Sequence, residues 1–197
     1  MAGLNIHFAI AKRYIEKNKV LDEQSFYQGT IDPDLAANKE ISHYSGVQDK
    51  NNLPDYLKNK VLLSKYLDVN NIDTDYDKGV FLHLVTDYLW FNEFFDRYYI
   101  NNTTYKDFVK DLYYSYDFTN PHIDNKYNMN YGEFREIMDN TIQKAHSNRE
   151  YNGEVRNNII PIDKLDLFIE SVSSINLEEY TKMIKKENRN VLLEKRL

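Results

Sequence analysis

The segment GVFLHLVTDYLWF, from Gly79 to Phe91, constrains the fold more than any other part of this chain. It belongs to a longer stretch, from about Asp77 to Tyr99, that is apolar on nearly all sides of a predicted helix. Such a helix is expected at the centre of a bundle, surrounded by amphipathic helices. His83 and Asp87 stand four residues apart inside it, so their side chains are predicted to share one helical face within the core.

Two explanations fit this buried pair. In the first, His83 and Asp87 hydrogen-bond each other or nearby backbone groups, which is common for polar pairs in protein cores. In the second, both bind one metal ion, because an isolated buried carboxylate is disfavoured unless it is paired or neutralised, and a divalent cation supplies the charge. The pair alone does not decide between them.

Helical patterning also covers most of the remaining chain. A first helix is predicted from about Leu4 to Asn18, and a short second helix follows, capped by Asp22 and ended by Gly29. Helical spacing returns from Leu53 to Leu67.

Capping residues predict where the later helices begin. These residues are Thr104 with Asp107, Asn130 with Glu133, Asn176 with Glu179, and Asp163. No segment alternates like a strand, so we predict an all-α fold with a single domain over residues 1–197.

Composition narrows the functional classes. The chain has 197 residues, 42% of them hydrophobic, which suits one globular domain able to enclose a polar site. It has no cysteine, which excludes disulfides, thiolate ligands and cysteine nucleophiles. The formal net charge of −6 argues against duplex nucleic acid as a partner. Neither a signal peptide nor a transmembrane segment is recognised, so a cytoplasmic protein is expected.

The stretch from Thr30 to Asn52 contains Pro33 and lacks sustained periodicity, which predicts a long loop. Long loops in compact domains are commonly functional. The candidate ligands outside the central helix are His7 on the first helix and Asp32, Asp34 and His43 in this loop. Each alone has an ordinary explanation, as a core histidine, a turn carboxylate or a surface histidine. Together with the central pair, they form a nitrogen and oxygen ligand set that suits Zn²⁺ or a related divalent metal.

In this order, these residues resemble the zinc-dependent phospholipase C family, in particular its short intracellular bacterial branch. The matching segments are HFAIA from His7, GTIDPD from Gly29, KEISHY ending at Tyr44, FLHLVTDYLW from Phe81, and YKDFVKDLYYSYDF from Tyr105. The resemblance covers about the first 120 residues, and the rest only as further helices. It implies an all-α bundle of the phospholipase C and single-strand nuclease type that binds metal ions and acts on phosphodiester bonds.

The resemblance also implies a ligand set. The ligands of one zinc ion would be Asp34, His43, His83 and Asp87. Asp87 would bridge to a second zinc ion, which His7 would also bind. Asp34 matches the family pattern better than Asp32, although either carboxylate could reach. Asp87 is therefore a catalytic residue as well as a ligand, and Asp32 is a candidate general base or a residue that orients a ligand.

A third metal ion is not expected. The secreted members of the family carry a further histidine and an HxxxE or HxxxD pair for it, whereas YLWFNEFFDRYY, which ends at Tyr99, contains no histidine. His146 and Glu150 have i, i+4 spacing, and His122 lies in NPHID, which is predicted as a loop. Their separation from Asp87 differs from the family pattern. We therefore expect two zinc ions.

A zinc-dependent phosphodiester hydrolase is the function that these observations favour, with a metal-activated water attacking a small phosphoester or a phospholipid-like substrate. The alternative is a non-catalytic protein of the same fold, either a metal-binding protein or a degenerate helical scaffold. HD-type nucleotide phosphohydrolases are another all-α class with histidine and aspartate ligands. The adjacent His-Asp pair that defines them occurs nowhere in the chain.

Overall fold

The computed structural model describes residues 2–45, 61–95, 102–147 and 156–194, and within these ranges the chain is helical, with no strand. This confirms the predicted all-α class. The nine α-helices of these ranges are α1, Leu4–Lys17; α2, Glu23–Leu35; α3, Lys39–Ser42; α4, Leu63–Val69; α5, Asp75–Leu89; α6, Tyr105–Lys126; α7, Arg135–Ser147; α8, Ile162–Val172; and α9, Leu177–Glu194. A π-helical turn, Trp90–Phe94, continues α5, and a 3₁₀ turn, Gly132–Phe134, leads into α7. Among the described residues, no helix combines the length and the apolar character needed to cross a membrane.

Helix α5 lies at the centre of the core, as predicted. Its residues 81–85 have no exposed surface, and Asp87 is 1% exposed. The helix begins at Asp75, two residues before the predicted start, because Thr74 and Asp77 form a capping box. Regular α-helix ends at Leu89, and the residues from 96 to 101, which include the predicted end, lie outside the described ranges. The predicted burial of the His83 and Asp87 pair is confirmed.

Helix α2 crosses α5 at two glycines. A Cβ built on Gly29 would lie 2.1 Å from the carbonyl oxygen of Tyr76, and one built on Gly79 would lie 2.2 Å from the carbonyl oxygen of Phe26. No side chain fits at either position unless the two helices move apart, so the close approach requires glycine. The turn of α2 that contains Thr30 is thereby held against α5.

The predicted loop from Thr30 to Asn52 is wrong over the part that the structure describes. Helix α2 continues through Pro33 to Leu35, and α3 follows after three residues. Gly29 is therefore not a helix stop; it lies inside α2 because the crossing with α5 needs a residue without a side chain. The described part of the helix predicted from Leu53 begins at Leu63.

Most of the predicted helix caps are confirmed. Backbone N–H groups at the starts of α2, α6 and α9 donate hydrogen bonds of 3.0–3.1 Å to the side chains of Asp22, Thr104 and Asn176. The Asn130 side chain instead accepts from the N–H of Gly132, at the start of the 3₁₀ turn. Asp163 lies inside the first turn of α8, whose N-cap is Pro161.

Candidate metal centre

The structure brings all five predicted metal ligands together in the protein interior. His7 belongs to α1, Asp34 to α2, and His83 and Asp87 to α5, while His43 directly follows α3. The three histidines are at most 2% exposed, and the side chains of Asp87 and Asp34 are 1% and 7% exposed. These five residues are called the His/Asp cluster below.

Asp87 lies in the middle of the cluster, and its two carboxylate oxygens contact different partners. Oδ1 lies 3.3 Å from the Nε2 of His7 and accepts a hydrogen bond of 2.7 Å from the backbone N–H of Ala2. Oδ2 lies 3.4 Å from the Nε2 of His43 and 3.7 Å from the Nε2 of His83. A carboxylate that faces imidazoles on both sides is suited to bridging two cations.

Backbone carbonyls orient two of the imidazoles. The Nδ1 of His83 lies 2.7 Å from the Thr30 carbonyl oxygen, and the Nδ1 of His43 lies 3.0 Å from the Lys39 carbonyl oxygen. A carbonyl only accepts, so each Nδ1 donates its proton, and the Nε2 of each neutral ring carries a lone pair. These two Nε2 atoms face each other at 3.1 Å. Two lone pairs at this distance repel each other unless a positive charge lies beside them.

The ring nitrogens of His7 lack hydrogen-bond partners. Its ring stacks on that of His83, with the centroids 3.8 Å apart and the planes 8° from parallel. Both ring nitrogens of His7 are buried without a hydrogen-bond partner, and so is the Oδ2 of Asp87. A buried polar atom left unpaired costs about 1–3 kcal/mol, and such atoms are rare. Three of them in one cluster favour a ligand-binding site over a completed hydrogen-bond network.

The electrostatic state of the cluster matches that of metal ligands. Burial lowers the pKa of His83 to about 3, and it lowers the pKa of His43 as well, so both rings are neutral. Burial alone would raise the pKa of Asp87, but nearby positive charge and the contact with His7 hold this pKa below its usual range. In the ion pairs of the described residues, Asp87 contacts only imidazoles. A buried carboxylate is disfavoured unless it is paired or neutralised, and a bound cation would add to the compensation that the nearby positive charge already supplies.

The cluster can therefore hold a metal ion. Two groups of donor atoms have the required spacing, with all atoms of a group within 4.8 Å of one another: His7, His83 and Asp87, and Asp34, His43 and His83. Imidazole and carboxylate ligands without a thiolate suit zinc and related divalent ions. His83 belongs to both groups, whereas the family resemblance implies that Asp87 is the residue shared by two ions.

Asp34 connects the cluster to the protein surface. Its Oδ1 lies 3.7 Å from the Nε2 of His43 and 3.0 Å from the Nζ of Lys39, whose side chain is 48% exposed. A pocket of about 110 Å³ borders on Asp34, Lys39 and Ala2. Since Ala2 and Asp34 both contact other members of the site, a ligand in this pocket would adjoin the cluster.

Asp32, the predicted general base, lies outside the cluster. Its carboxylate accepts hydrogen bonds from the amide of Gln28 and, at 2.8 Å, from the hydroxyl of Tyr76. It borders on a separate pocket of about 340 Å³. Residues two apart on a helix point in nearly opposite directions, so α2 can direct only one of Asp32 and Asp34 at the cluster. The structure places Asp34 there.

Of the residues considered for a third metal ion, the structure describes the side chain of His122 alone, and its hydrogen-bonding contact lies away from the His/Asp cluster. Helix α6 continues through Pro121, so the NPHID segment is helical and its prediction as a loop is wrong. The Nε2 of His122 lies 3.0 Å from a carboxylate oxygen of Asp166 on α8. The side chain of His146 and the whole of Glu150 lie outside the described residues.

Sequence reasoning missed several groups that surround the ligands. The N–H of Ala2 and the carbonyls of Thr30 and Lys39 carry no sequence signal, because every residue offers backbone groups. The ammonium of Lys39 has a weak signal, since it stands four residues before His43 and thus about one helical turn away. Once the segment is known to be helical, that spacing places Lys39 next to the site.

Comparisons with known proteins found no match to this chain. No protein-family model matches the chain, and neither the curated proteins nor the solved structures contain a match to it. The resemblance to zinc-dependent phospholipases C therefore stays a prediction that rests on the quoted segments. The geometry of the His/Asp cluster stands independently of it.

Proposed function

We propose that this protein is a zinc-dependent hydrolase of phosphodiester bonds. The observation that carries the proposal is the convergence of buried Nε2 lone pairs and carboxylate oxygens in the His/Asp cluster, where His83 and His43 face each other at 3.1 Å. The step from a metal site to a phosphodiesterase rests on the resemblance to zinc-dependent phospholipases C. A location in the cytoplasm is part of the same proposal.

The five ligands would divide the work of holding two zinc ions. Asp87 presents Oδ1 to His7 and Oδ2 to His43 and His83, so it would set the separation of the ions. Asp34 would be a further ligand of the zinc ion that His43 binds. Bound zinc supplies a Lewis acid for the phosphoryl group and lowers the pKa of a bound water to about 7.

The surrounding backbone would keep the ligands in place. The Thr30 and Lys39 carbonyls accept from Nδ1 of two histidines and thereby direct each Nε2 into the cluster. The Ala2 N–H donates to Asp87 and holds that carboxylate in its rotamer. Such outer partners commonly change metal affinity or activity by about 10–100-fold when they are lost. A small phosphoester or the head group of a phospholipid is the proposed substrate class.

The test compares Asp87→Asn with Asp68→Asn, the same chemical change at an exposed position of α4. Hydrolysis of the chromogenic diester bis(p-nitrophenyl) phosphate is measured together with the zinc content of each protein. We expect Asp87→Asn to lose both zinc and hydrolysis, because an amide cannot replace a charged bridging ligand. Asp68→Asn should keep both.

Two outcomes contradict the proposal in different ways. Hydrolysis that survives Asp87→Asn would remove Asp87 from the reaction. Zinc bound by the unsubstituted protein without turnover of any phosphodiester in a screen would favour the alternative, a non-catalytic metal-binding protein.

A further inference from the structure

A second pocket lies beside Asp32, outside the His/Asp cluster. It measures about 340 Å³ and borders on α2, α4 and the start of α5. Small-molecule sites commonly measure about 300–1,000 Å³ and combine aromatic or apolar walls with a few polar groups. The volume therefore suits a small organic ligand better than a bare ion. This pocket is called the tyrosine pocket below, because Tyr44, Tyr66 and Tyr76 border on it.

The charged residues in the wall of the tyrosine pocket are acidic. They are Asp32 and Asp77, and no lysine, arginine or histidine borders on the pocket among the described residues. Neither carboxylate forms an ion pair within the part of the chain that the structure describes. Asp77 accepts hydrogen bonds from Thr74 in the capping box of α5, and the positive end of the helix dipole offsets part of its charge. The remaining negative charge favours a cationic ligand.

Asp32 is the carboxylate that a ligand can reach. Its Oδ2 accepts a hydrogen bond of 2.8 Å from the hydroxyl of Tyr76, and this contact lies in an exposed position. The amide of Gln28 is the other donor to Asp32 among the described residues. An ionised carboxylate has about four acceptor sites, so Asp32 can accept about two more hydrogen bonds.

The neighbouring polar groups also offer acceptors. The Nδ2 of Asn70 lies 3.0 Å from the hydroxyl oxygen of Tyr44 and 3.0 Å from the carbonyl oxygen of Tyr66. Because a carbonyl only accepts, the amide hydrogens of Asn70 are directed there, and its Oδ1 has no donor among the described residues. The hydroxyl of Tyr76 donates its hydrogen to Asp32. This wall therefore suits a ligand that brings hydrogen-bond donors.

The tyrosines stay neutral next to the carboxylates. Burial, the hydrogen bond to Asp32 and the nearby charge of Asp77 raise the pKa of Tyr76 to about 12. Burial and the charge of Asp77 also raise the pKa of Tyr66. The rings of Tyr44 and Tyr66 pack edge to face with their centroids 5.0 Å apart, and Tyr76 is 39% exposed. Neutral aromatic rings can contact an apolar chain and attract a cation.

We infer that the tyrosine pocket binds a small organic amine, whose primary ammonium group donates to Asp32 and whose apolar part lies against Tyr76. A primary ammonium carries three donors and a positive charge, which match the acceptors and the charge of the wall. A quaternary ammonium has the charge without the donors. The inference is independent of the proposed hydrolase function, because neither residue belongs to the His/Asp cluster.

The test compares benzylamine with benzyl alcohol, two ligands of similar shape of which only benzylamine is a cation at neutral pH. Binding to the 197-residue chain is measured by calorimetric titration. We expect benzylamine to bind about tenfold more tightly, a ratio that corresponds to about 1.4 kcal/mol. Benzyltrimethylammonium should bind about threefold more weakly than benzylamine, because it cannot donate a hydrogen bond.

Two variants and one condition assign the effect to Asp32. Asp32→Asn should lower the affinity for benzylamine about tenfold and leave the affinity for benzyl alcohol unchanged. Asp68→Asn, the same change at an exposed position of α4, is the control for net charge and should bind both ligands like the unsubstituted protein. Because an amine can also bind zinc, the titrations are made with and without added zinc, and the affinity for benzylamine should be the same in both.

Several results would overturn the inference. Equal affinity of the unsubstituted protein for benzylamine and benzyl alcohol, or no binding of benzylamine, would do so. Benzylamine binding that survives Asp32→Asn, or that requires zinc, would place the amine elsewhere and would also overturn it. Benzyltrimethylammonium bound as tightly as benzylamine would show that a primary ammonium is not the group recognised. Failure of the hydrolysis test leaves all of these expectations unchanged, so the two proposals fail separately.

Discussion

Gly79→Ala should loosen the helix crossing that positions His83. The new Cβ would lie 2.2 Å from the carbonyl oxygen of Phe26 and 3.0 Å from the backbone nitrogen of Thr30. Ordinary contact begins near 3.4 Å, so α2 and α5 must separate by about 1 Å. Forced repacking of this kind costs about 1–3 kcal/mol, and the better helix propensity of alanine offsets up to about 1 kcal/mol of that. We expect a net loss of stability of up to about 3 kcal/mol.

The same displacement should alter the geometry of the His/Asp cluster. The hydrogen bond from the Nδ1 of His83 to the Thr30 carbonyl is 2.7 Å long, and a separation of about 1 Å would take it out of hydrogen-bond range. His83 then loses the partner that directs its Nε2 into the cluster. Loss of such a partner should weaken zinc binding by about 10–100-fold.

Urea unfolding of the metal-free protein and a zinc titration measure the two effects separately. Met183→Ala, at an exposed position of α9, is the control for an alanine substitution that touches neither the crossing nor the cluster. It should change zinc affinity by less than about twofold. If Gly79→Ala is as stable as the unsubstituted protein and binds zinc equally well, the link between the crossing and the site is wrong.

Two further predictions concern carboxylates outside the cluster. Asp32→Asn should leave zinc content and hydrolysis unchanged, because the Asp32 carboxylate accepts a hydrogen bond from Tyr76 and lies outside the cluster. A fall in kcat of about 10²–10⁴-fold at full zinc content would contradict this and would support Asp32 as the general base. Burial alone would raise the pKa of Asp166, but hydrogen bonds from Lys126 and His122 hold this pKa below its usual range. These hydrogen bonds therefore stabilise the fold above about pH 4, and their contribution is lost as the pH falls. Asp166→Asn should therefore reduce the difference in unfolding free energy between about pH 6 and about pH 3 by up to about 1 kcal/mol, and an unchanged difference would show that this carboxylate does not contribute.

The central helix and its buried pair were predictable because their signals are local. An apolar run with polar residues at i and i+4 specifies both burial and a shared face within one segment. The helix caps at Asp22 and Thr104 were predictable for the same reason, since capping depends on a few neighbouring residues.

The path of α2 was not predictable from local signals. Gly29 has the appearance of a helix stop, and Pro33 that of a loop residue, unless the crossing helix is known. The error also left the choice between Asp32 and Asp34 open. In a helix these two side chains point apart, so a helical assignment would have selected one of them for the cluster.

The groups that orient the side chains of the His/Asp cluster were the hardest to predict from the sequence. The carbonyl of Thr30 reaches His83 across a helix crossing, and residues 30 and 83 are far apart in the chain. Such a contact depends on tertiary packing and on a backbone atom that all residues share. The residue types of the His/Asp cluster were therefore predictable, whereas the backbone groups that fix the histidine tautomers were not.

The metal content of the purified protein tests the central claim most directly. Elemental analysis is made after zinc supplementation and removal of unbound metal, with the protein concentration measured independently. The His/Asp cluster predicts two zinc ions per chain, held by His7, Asp34, His43, His83 and Asp87. Fewer than one bound metal ion per chain would contradict this claim. The buried histidines and aspartates would then be polar core residues that bind no metal.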